Sequence, residues 1–141
     1  MGTLLVPVDT SNRGGLAIMV AEQMAKVAGH DIVVLGVAEL AETSEQDDEA
    51  QQSLEIILDQ AMRRLEGVGV ETATAQNGDL VEAIEQAVRE FGVDEIVVEG
   101  PMLEAWSTSA LDDLAEMIRG RTGVGVTVVE TEGESIDVAP A

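Results

Sequence analysis

Reactive and metal-binding side chains are almost absent from this sequence. It contains no cysteine and a single histidine, His30. Disulfides, thiolate metal sites and cysteine nucleophiles are therefore excluded, and a histidine cluster cannot form. No serine–histidine pair and no base next to a nucleophile can be identified. We therefore predict that the protein is not an enzyme and that it requires no metal and no cofactor.

Long apolar runs are absent as well. The opening, MGTLLVPVDT, has no basic segment followed by a long apolar one, which is the pattern of a secretory signal peptide. No stretch approaches the roughly 20 apolar residues that a membrane span needs. We therefore expect a cytoplasmic protein that does not insert into membranes.

Basic residues are scarce. Seven stand against 28 acidic residues, the formal net charge is -21, and Lys26 is the only lysine. Such a chain repels nucleic acid phosphates, so we expect no nucleic acid partner. Hydrophobic residues make up 45% of the chain, which argues against disorder. Dense carboxylates with little lysine resemble halophilic archaeal proteins, because molar salt shortens the screening length to about 3 Å.

Short apolar segments alternate with amphipathic ones along the 141 residues. The pattern predicts one domain over residues 1–131, with five strands separated by four helices, and a disordered tail over residues 132–141. Such alternation is typical of an α/β fold, a doubly wound parallel sheet with helices on both faces. Ligands of these sheets bind beyond the carboxyl ends of the strands. Here that crevice follows the first and fourth strands. The predicted strands are Leu4 to Val8, Ile32 to Val37, Val70 to Gln76, Glu95 to Val98 and Val124 to Glu130.

Two predictions concern the helices. Leu16, Val20, Met24 and Val27 share the apolar face of the first helix. The acidic stretch AELAETSEQDDEAQ has little apolar content, so we expect it to form a solvated surface loop and the opening of the second helix. A mobile lid or a partner-binding segment is the alternative.

Three segments resemble the universal stress protein family. LLVPVDTSNRGGLAIMVAEQMA resembles its opening strand, turn and helix, and NGDLVEAIEQAVREFGVDEIVVEG resembles its G-D-P-x-x-x-I helix with the following I-V-M-G strand. LAEMIRGRTGVGVTVVE is similar to the closing helix and strand. The match covers about residues 3 to 130. The resemblance implies an adenine-nucleotide alpha-hydrolase-like fold, with five parallel strands in the order 3-2-1-4-5.

The family also implies a dimer, often joined through the last strand. In this chain the strand carries a β-branched run that includes Val124, Val126 and Val128. An unpaired sheet edge of this kind invites association. We therefore expect a homodimer through the last strand, and a further protein partner fits a regulatory module.

The phosphate motif of the ATP-binding relatives is degenerate here. That motif follows the fourth strand and reads glycine, two residues, glycine, nine residues, then glycine with Ser or Thr. Gly100 matches its first glycine, whereas Leu103 falls at the second and Asp112 and Asp113 at the final pair. Two carboxylates at a helix start already complement the helix dipole and repel a triphosphate. These three residues are predicted to oppose phosphate binding.

Other positions leave the nucleotide question open. By resemblance, Pro7, Val8, Asp9, Val37 and Gly100 could form the nucleoside side of a site. Asp9 is equally suited to a turn.

The phosphate-side loop holds three hydroxyl residues, Ser107, Thr108 and Ser109. They could donate hydroxyls to a phosphate, although Ser109 also suits a helix cap. Trp106 could stack on a base, enter a groove of a partner or plug the phosphate site.

Three functional hypotheses follow. The first is a dimeric, non-catalytic stress-response or regulatory module without tight ATP binding. The second is a protein that binds ATP or AMP through an altered loop, with or without slow hydrolysis. The third, a phosphorylation-switched receiver domain, fails because Asp9 stands alone, the third strand ends in Gln76 and Asn77, and Lys26 lies on the first helix.

Overall fold

The computed structural model describes residues 2–9, 15–38, 44–65, 67–76, 80–106, 111–129 and 135–138. Six strands and five helices lie in this part of the chain. The strands are β1 Thr3–Val8, β2 Asp31–Ala38, β3 Val70–Gln76, β4 Glu95–Glu99, β5 Gly125–Val129 and β6 Ser135–Val138. The helices are α1 Gly15–Ala28, α2 Ser44–Arg64, α3 Leu80–Phe91, α4 Gly100–Trp106 and α5 Leu111–Thr122.

The strands form one sheet in the order β3-β2-β1-β4-β5-β6. The first five are parallel, so the predicted doubly wound topology is confirmed. Because each right-handed crossover carries a helix, helices cover both faces. The strand order reverses between β1 and β4, which places the crevice of this fold at the carboxyl ends of those two strands.

The sixth strand differs from the expected disordered tail. β6 pairs antiparallel with β5, with Val128 opposite Ile136 and Val126 opposite Val138. Two apolar residues in an acidic tail are too few to predict a strand. An existing sheet edge supplies the backbone partners that such a short segment lacks by itself, and this pairing explains the difference.

Alternate side chains of the strands enter two separate cores. One core lies under α3, α4 and α5 and takes, among others, Leu5, Val33, Ile96 and Val126 from the sheet. The other lies under α1 and α2 and takes, among others, Leu4, Ile32, Val34 and Val97. The central strands are thus buried on both faces, which explains their uninterrupted apolar sequences.

The core face of α1 is rotated from the predicted one. Val27 was expected to be buried, but its side chain is 87% exposed. Alanines explain the rotation, because their small side chains let the helix lie close to the sheet. The buried residues of α1 are Ala17, Ile18, Ala21 and Ala25, and Leu16, Val20 and Met24 flank them.

Two predictions about helix boundaries are confirmed. α2 begins at Ser44, so the acidic stretch contains the opening of the second helix, as predicted. Gly29 and Gly92 follow α1 and α3 with φ of 73° and 65°. Their backbone N–H groups donate to Ala25 and Val88 at 2.7 and 3.0 Å. This left-handed cap favours glycine.

Candidate functional site

Two carboxylates lie at the point where the strand order reverses. Asp9 directly follows β1 and Glu99 ends β4. The two strands pair with Leu5 beside Ile96, and continuing that register places Val8 beside Glu99. Asp9 is 6% exposed and Glu99 is 9% exposed. The crevice between β1 and β4 is therefore lined with buried acidic groups.

Glu99 caps the first helix. Its Oε1 accepts a hydrogen bond from the backbone N–H of Leu16 at 2.9 Å, in a partly buried position. Leu16 is the second residue of α1, so its N–H is one of the donors that a helix start leaves without an intrahelical partner. Helix starts in such crevices are where related folds bind anions. Here a carboxylate of the chain itself takes one of those donors.

The segment after β4 is a helix rather than an open loop. α4 begins at Gly100, immediately after Glu99. Met102 and Leu103 are 1% and 0% exposed and belong to the core under α3 and α5. Proline at the second helical position is compatible with this start, because the first turn needs no intrahelical N–H donor. Leu103, which the family resemblance places at the second motif glycine, is thus a core residue.

The predicted nucleoside residues lie at the carboxyl side of the sheet. Pro7, Val8 and Asp9 end or follow β1, Gly100 opens α4, and all four are buried. Val37 is the second-last residue of β2 and pairs with Ala75 of β3. Its side chain is fully buried in the core under α3.

Several predicted residues fall partly or wholly outside the described part. Ser107, Thr108 and Ser109 lie outside the described residues. Asp112 and Asp113 belong to the first turn of α5 and Trp106 ends α4. The side chains of these three residues also lie outside the described part. Their predicted roles therefore stay predictions.

The predicted dimer strand is partly internal. Val126 and Val128 are buried in the core under α5, and Val124 precedes β5 and packs against the same core. The outer edge of β5 pairs with β6. Dimerisation through β5 stays a prediction, and it requires β6 to leave this edge.

Sequence reasoning missed the role of Glu99. Its signal is a carboxylate at the carboxyl end of the apolar run IVV of β4, next to the predicted crevice. A charge at the end of a buried strand must find a partner. That partner, the N–H of Leu16, is 83 residues away in sequence, so only the fold brings the two together.

Neither a transmembrane helix nor a metal cluster is found in the described ranges. No helix there is long and apolar enough to cross a bilayer. No three His, Asp or Glu side chains of these residues are grouped so that they could hold a metal ion.

The fold is that of solved universal stress proteins. A family member from Burkholderia pseudomallei has a TM-score of 0.73 and 24% identity, over 91% of this chain and 95% of that one. A universal stress protein from Archaeoglobus fulgidus has a TM-score of 0.64 and 17% identity, over 91% and 98%. Another, solved in complex with cAMP, has a TM-score of 0.65 and 17% identity, over 93% and 98%.

No model of a protein family matches this chain, and no curated protein does. At these identities the solved structures define the class of fold, an open α/β sheet of the universal stress protein type.

Proposed function

We propose that this chain is a universal-stress-protein-like module of the stress response, regulatory and non-catalytic, which does not bind ATP tightly. The observation that carries the proposal is the hydrogen bond from the Leu16 N–H to the Glu99 carboxylate, at 2.9 Å. This bond supports the interpretation that the Glu99 carboxylate occupies a position in the crevice that would otherwise suit a ligand anion.

Electrostatics makes a phosphate unfavourable in that position. Two like unit charges about 4 Å apart repel by roughly 4 kcal/mol at an effective dielectric constant of about 20. Such repulsion weakens binding by about a thousandfold. Asp9 adds a second buried carboxylate at the end of the neighbouring strand. A triphosphate would therefore have to displace Glu99 or lie beside it.

The packing of α4 also opposes a phosphate loop after β4. Phosphate loops bring backbone N–H groups close to the ligand through glycine. Leu103, at the matching position, is fully buried in the core. Turning α4 into an open loop would expose this leucine and Met102 to water, which costs about 1.5 to 3 kcal/mol for each side chain.

The surface charge suits a cytoplasm with molar salt, which is the second part of the proposal. At net charge -21 the folded chain repels itself in dilute buffer, and a screening length of about 3 Å removes most of that repulsion. Activity as a dimer is the third part. It requires a β5 edge free of β6, since β6 pairs with that edge along four residues.

Nucleoside binding is the second candidate function. One solved neighbour of this fold was obtained in complex with cAMP. Pro7, Val8 and Asp9 lie at the carboxyl end of β1, and a nucleoside would need none of the phosphate contacts that Glu99 and Leu103 oppose. A ligand with one phosphate or none is therefore the alternative to ATP in this crevice.

Calorimetric titration at about molar salt distinguishes these functions. ATP, AMP, cAMP and adenosine are added, with magnesium, to the full chain. We expect no saturable heat from ATP at concentrations up to about millimolar. Saturation by adenosine or cAMP alone would favour the nucleoside function. Micromolar ATP binding would overturn the proposal, because it would show that the crevice accepts a triphosphate despite Glu99.

A further inference from the structure

The outer edge of β3 presents backbone groups that no other described strand uses. β3 is the terminal strand of the sheet, with β2 as its neighbour. The N–H of Ile32 donates to the carbonyl of Gly69 at 2.8 Å, so the backbone of Gly69 faces β2. Successive residues of a parallel strand face opposite sides. The N–H and C=O groups of Val70, Thr72, Thr74 and Gln76 therefore point away from the sheet.

This edge has little of the usual protection against pairing. Natural sheet edges carry charges, proline or bulges, or are covered by another element. The sequence of β3, VETATAQ, has no proline and a single charged residue, Glu71. Thr72 and Thr74 are exposed. At the opposite end of the sheet the terminal strand is β6, which pairs with β5.

Two cavities flank β3, one on each face of the sheet. The first, of about 430 Å³, includes Asp31, Glu71 and Phe91 among its lining residues. The second, of about 340 Å³, lies between α2 and β3 and includes Glu55, Asp59 and Met62. Each cavity thus combines two carboxylates with a large apolar side chain.

An added strand would direct its side chains toward the two faces on which these cavities lie. Side chains of a strand alternate between the two faces of a sheet, so residues an odd number of positions apart point toward different cavities. The first cavity lies at the amino ends of β1, β2 and β3, since its lining includes Thr3, Asp31 and Val70. Neither lining includes a basic residue. Asp59 already pairs with Arg63 at 3.1 Å, which leaves Glu55 as the carboxylate of the second cavity that can pair with an incoming charge. Lysine or arginine, with an apolar stem and a cationic end, matches this lining.

We propose that β3 is a docking edge for an extended, basic segment of a protein partner, which adds to the sheet as a seventh strand. Backbone hydrogen bonds supply affinity in this mode, and side-chain pockets supply specificity. A second copy of the chain fits less well. Its own β3 has one charged residue, Glu71, and no basic one, and each copy carries a charge of -21. The proposal does not depend on what the crevice binds.

A short synthetic peptide tests the proposal. The probe is a capped peptide of about eight residues, threonine and valine with two lysines three positions apart, so that the lysines point toward different cavities. Its binding is measured by calorimetry at about molar salt, where attraction between distant charges is screened. We expect saturable binding to the full chain. Absence of binding would overturn the proposal.

Thr74→Pro is the decisive variant. The N–H of Thr74 points outward, so proline removes a donor from the docking edge without removing a hydrogen bond to β2. A lost backbone bond is worth about 1 to 1.5 kcal/mol, so we expect the probe to bind about tenfold more weakly. Thr74→Val keeps the backbone donor, and we expect binding within about twofold of the unaltered chain. Equal binding of both variants would contradict strand addition.

A modified probe separates strand addition from charge attraction without altering the protein. The peptide N-methylated at every residue keeps its charge and side chains but has no backbone donor. We expect it not to bind. Equal binding of the two peptides would mean charge attraction alone and would overturn the proposal, even if Thr74→Pro failed to fold. Sedimentation of the chain without peptide tests whether a second copy of the chain binds at the β3 edge. If the unaltered chain is a dimer and Thr74→Pro dissociates it, a second copy is the occupant and the proposal is overturned.

Discussion

The crevice and the β3 edge differ in where their polar groups find hydrogen-bond partners. At the crevice the chain uses its own residues, since Glu99 accepts from Leu16 and Leu103 fills the core behind it. At the β3 edge, every second backbone N–H and C=O group points away from the sheet, next to two carboxylate-lined cavities. Buried polar groups must be paired within the chain, whereas exposed ones remain open to a partner. We therefore expect the place where this fold binds ligands to disfavour anions, and the backbone groups that a partner could use lie at the β3 edge.

The two sides of the β3 backbone give the largest expected contrast. Ala73→Pro removes an N–H that faces β2, and proline within a sheet is tolerated only where its nitrogen faces away from the ladder. We expect a loss of about 3 kcal/mol in the free energy of unfolding, because a ladder hydrogen bond is lost and its buried carbonyl acceptor is left unsatisfied. Thr74→Pro, one residue further on, should cost less than about 1 kcal/mol. Urea unfolding at molar salt measures both values. Equal losses would mean that we have assigned the outward side wrongly.

Removal of the Glu99 carboxylate tests whether it occupies an anion position in the crevice. Glu99→Ala leaves the Leu16 N–H without its acceptor, so we expect the free energy of unfolding to fall by about 2 kcal/mol. Inorganic phosphate should restore part of this loss, because the vacated helix start can then bind an anion.

Phosphate stabilises many proteins by exclusion from their surface, so a matched variant is needed. Glu116→Ala removes an exposed carboxylate that pairs with Arg119 on α5. We expect it to cost less than about 1 kcal/mol and to gain no more from phosphate than the unaltered chain. If phosphate stabilises Glu99→Ala and Glu116→Ala equally, Glu99 does not occupy an anion position.

Deletion of β6 gives the smallest expected effect and makes β5 the terminal strand of the sheet. A chain ending at residue 130 exposes the backbone groups of β5 that now pair with residues 135 to 138. Unpaired edges associate, so we expect the shortened chain to dimerise at lower protein concentration than the full chain. Sedimentation equilibrium at molar salt measures the two dissociation constants. Identical constants would mean that β6 does not compete with dimerisation through β5.

The succession of strands β1 to β5 and their helices along the chain could be predicted because apolar strands, amphipathic helices and stop glycines such as Gly29 are local signals. The strand order 3-2-1-4-5 within the sheet was implied by the family resemblance. The remaining features depend on tertiary contacts. β6 needs the edge of β5, and the core face of α1 is set by how closely Ala17, Ala21 and Ala25 let it approach the sheet. The bond between Glu99 and Leu16 joins residues 83 positions apart. The crevice residues were therefore predictable by position, whereas the contact that occupies the crevice was not.

Titration of ATP into the full chain, with magnesium at about molar salt, tests the central claim most directly. We predict no saturable binding at concentrations up to about millimolar, because the buried carboxylates of Glu99 and Asp9 and the core position of Leu103 oppose a triphosphate. Saturable binding in the micromolar range would contradict the account. It would mean that Glu99 leaves the Leu16 N–H and that α4 opens to admit the ligand.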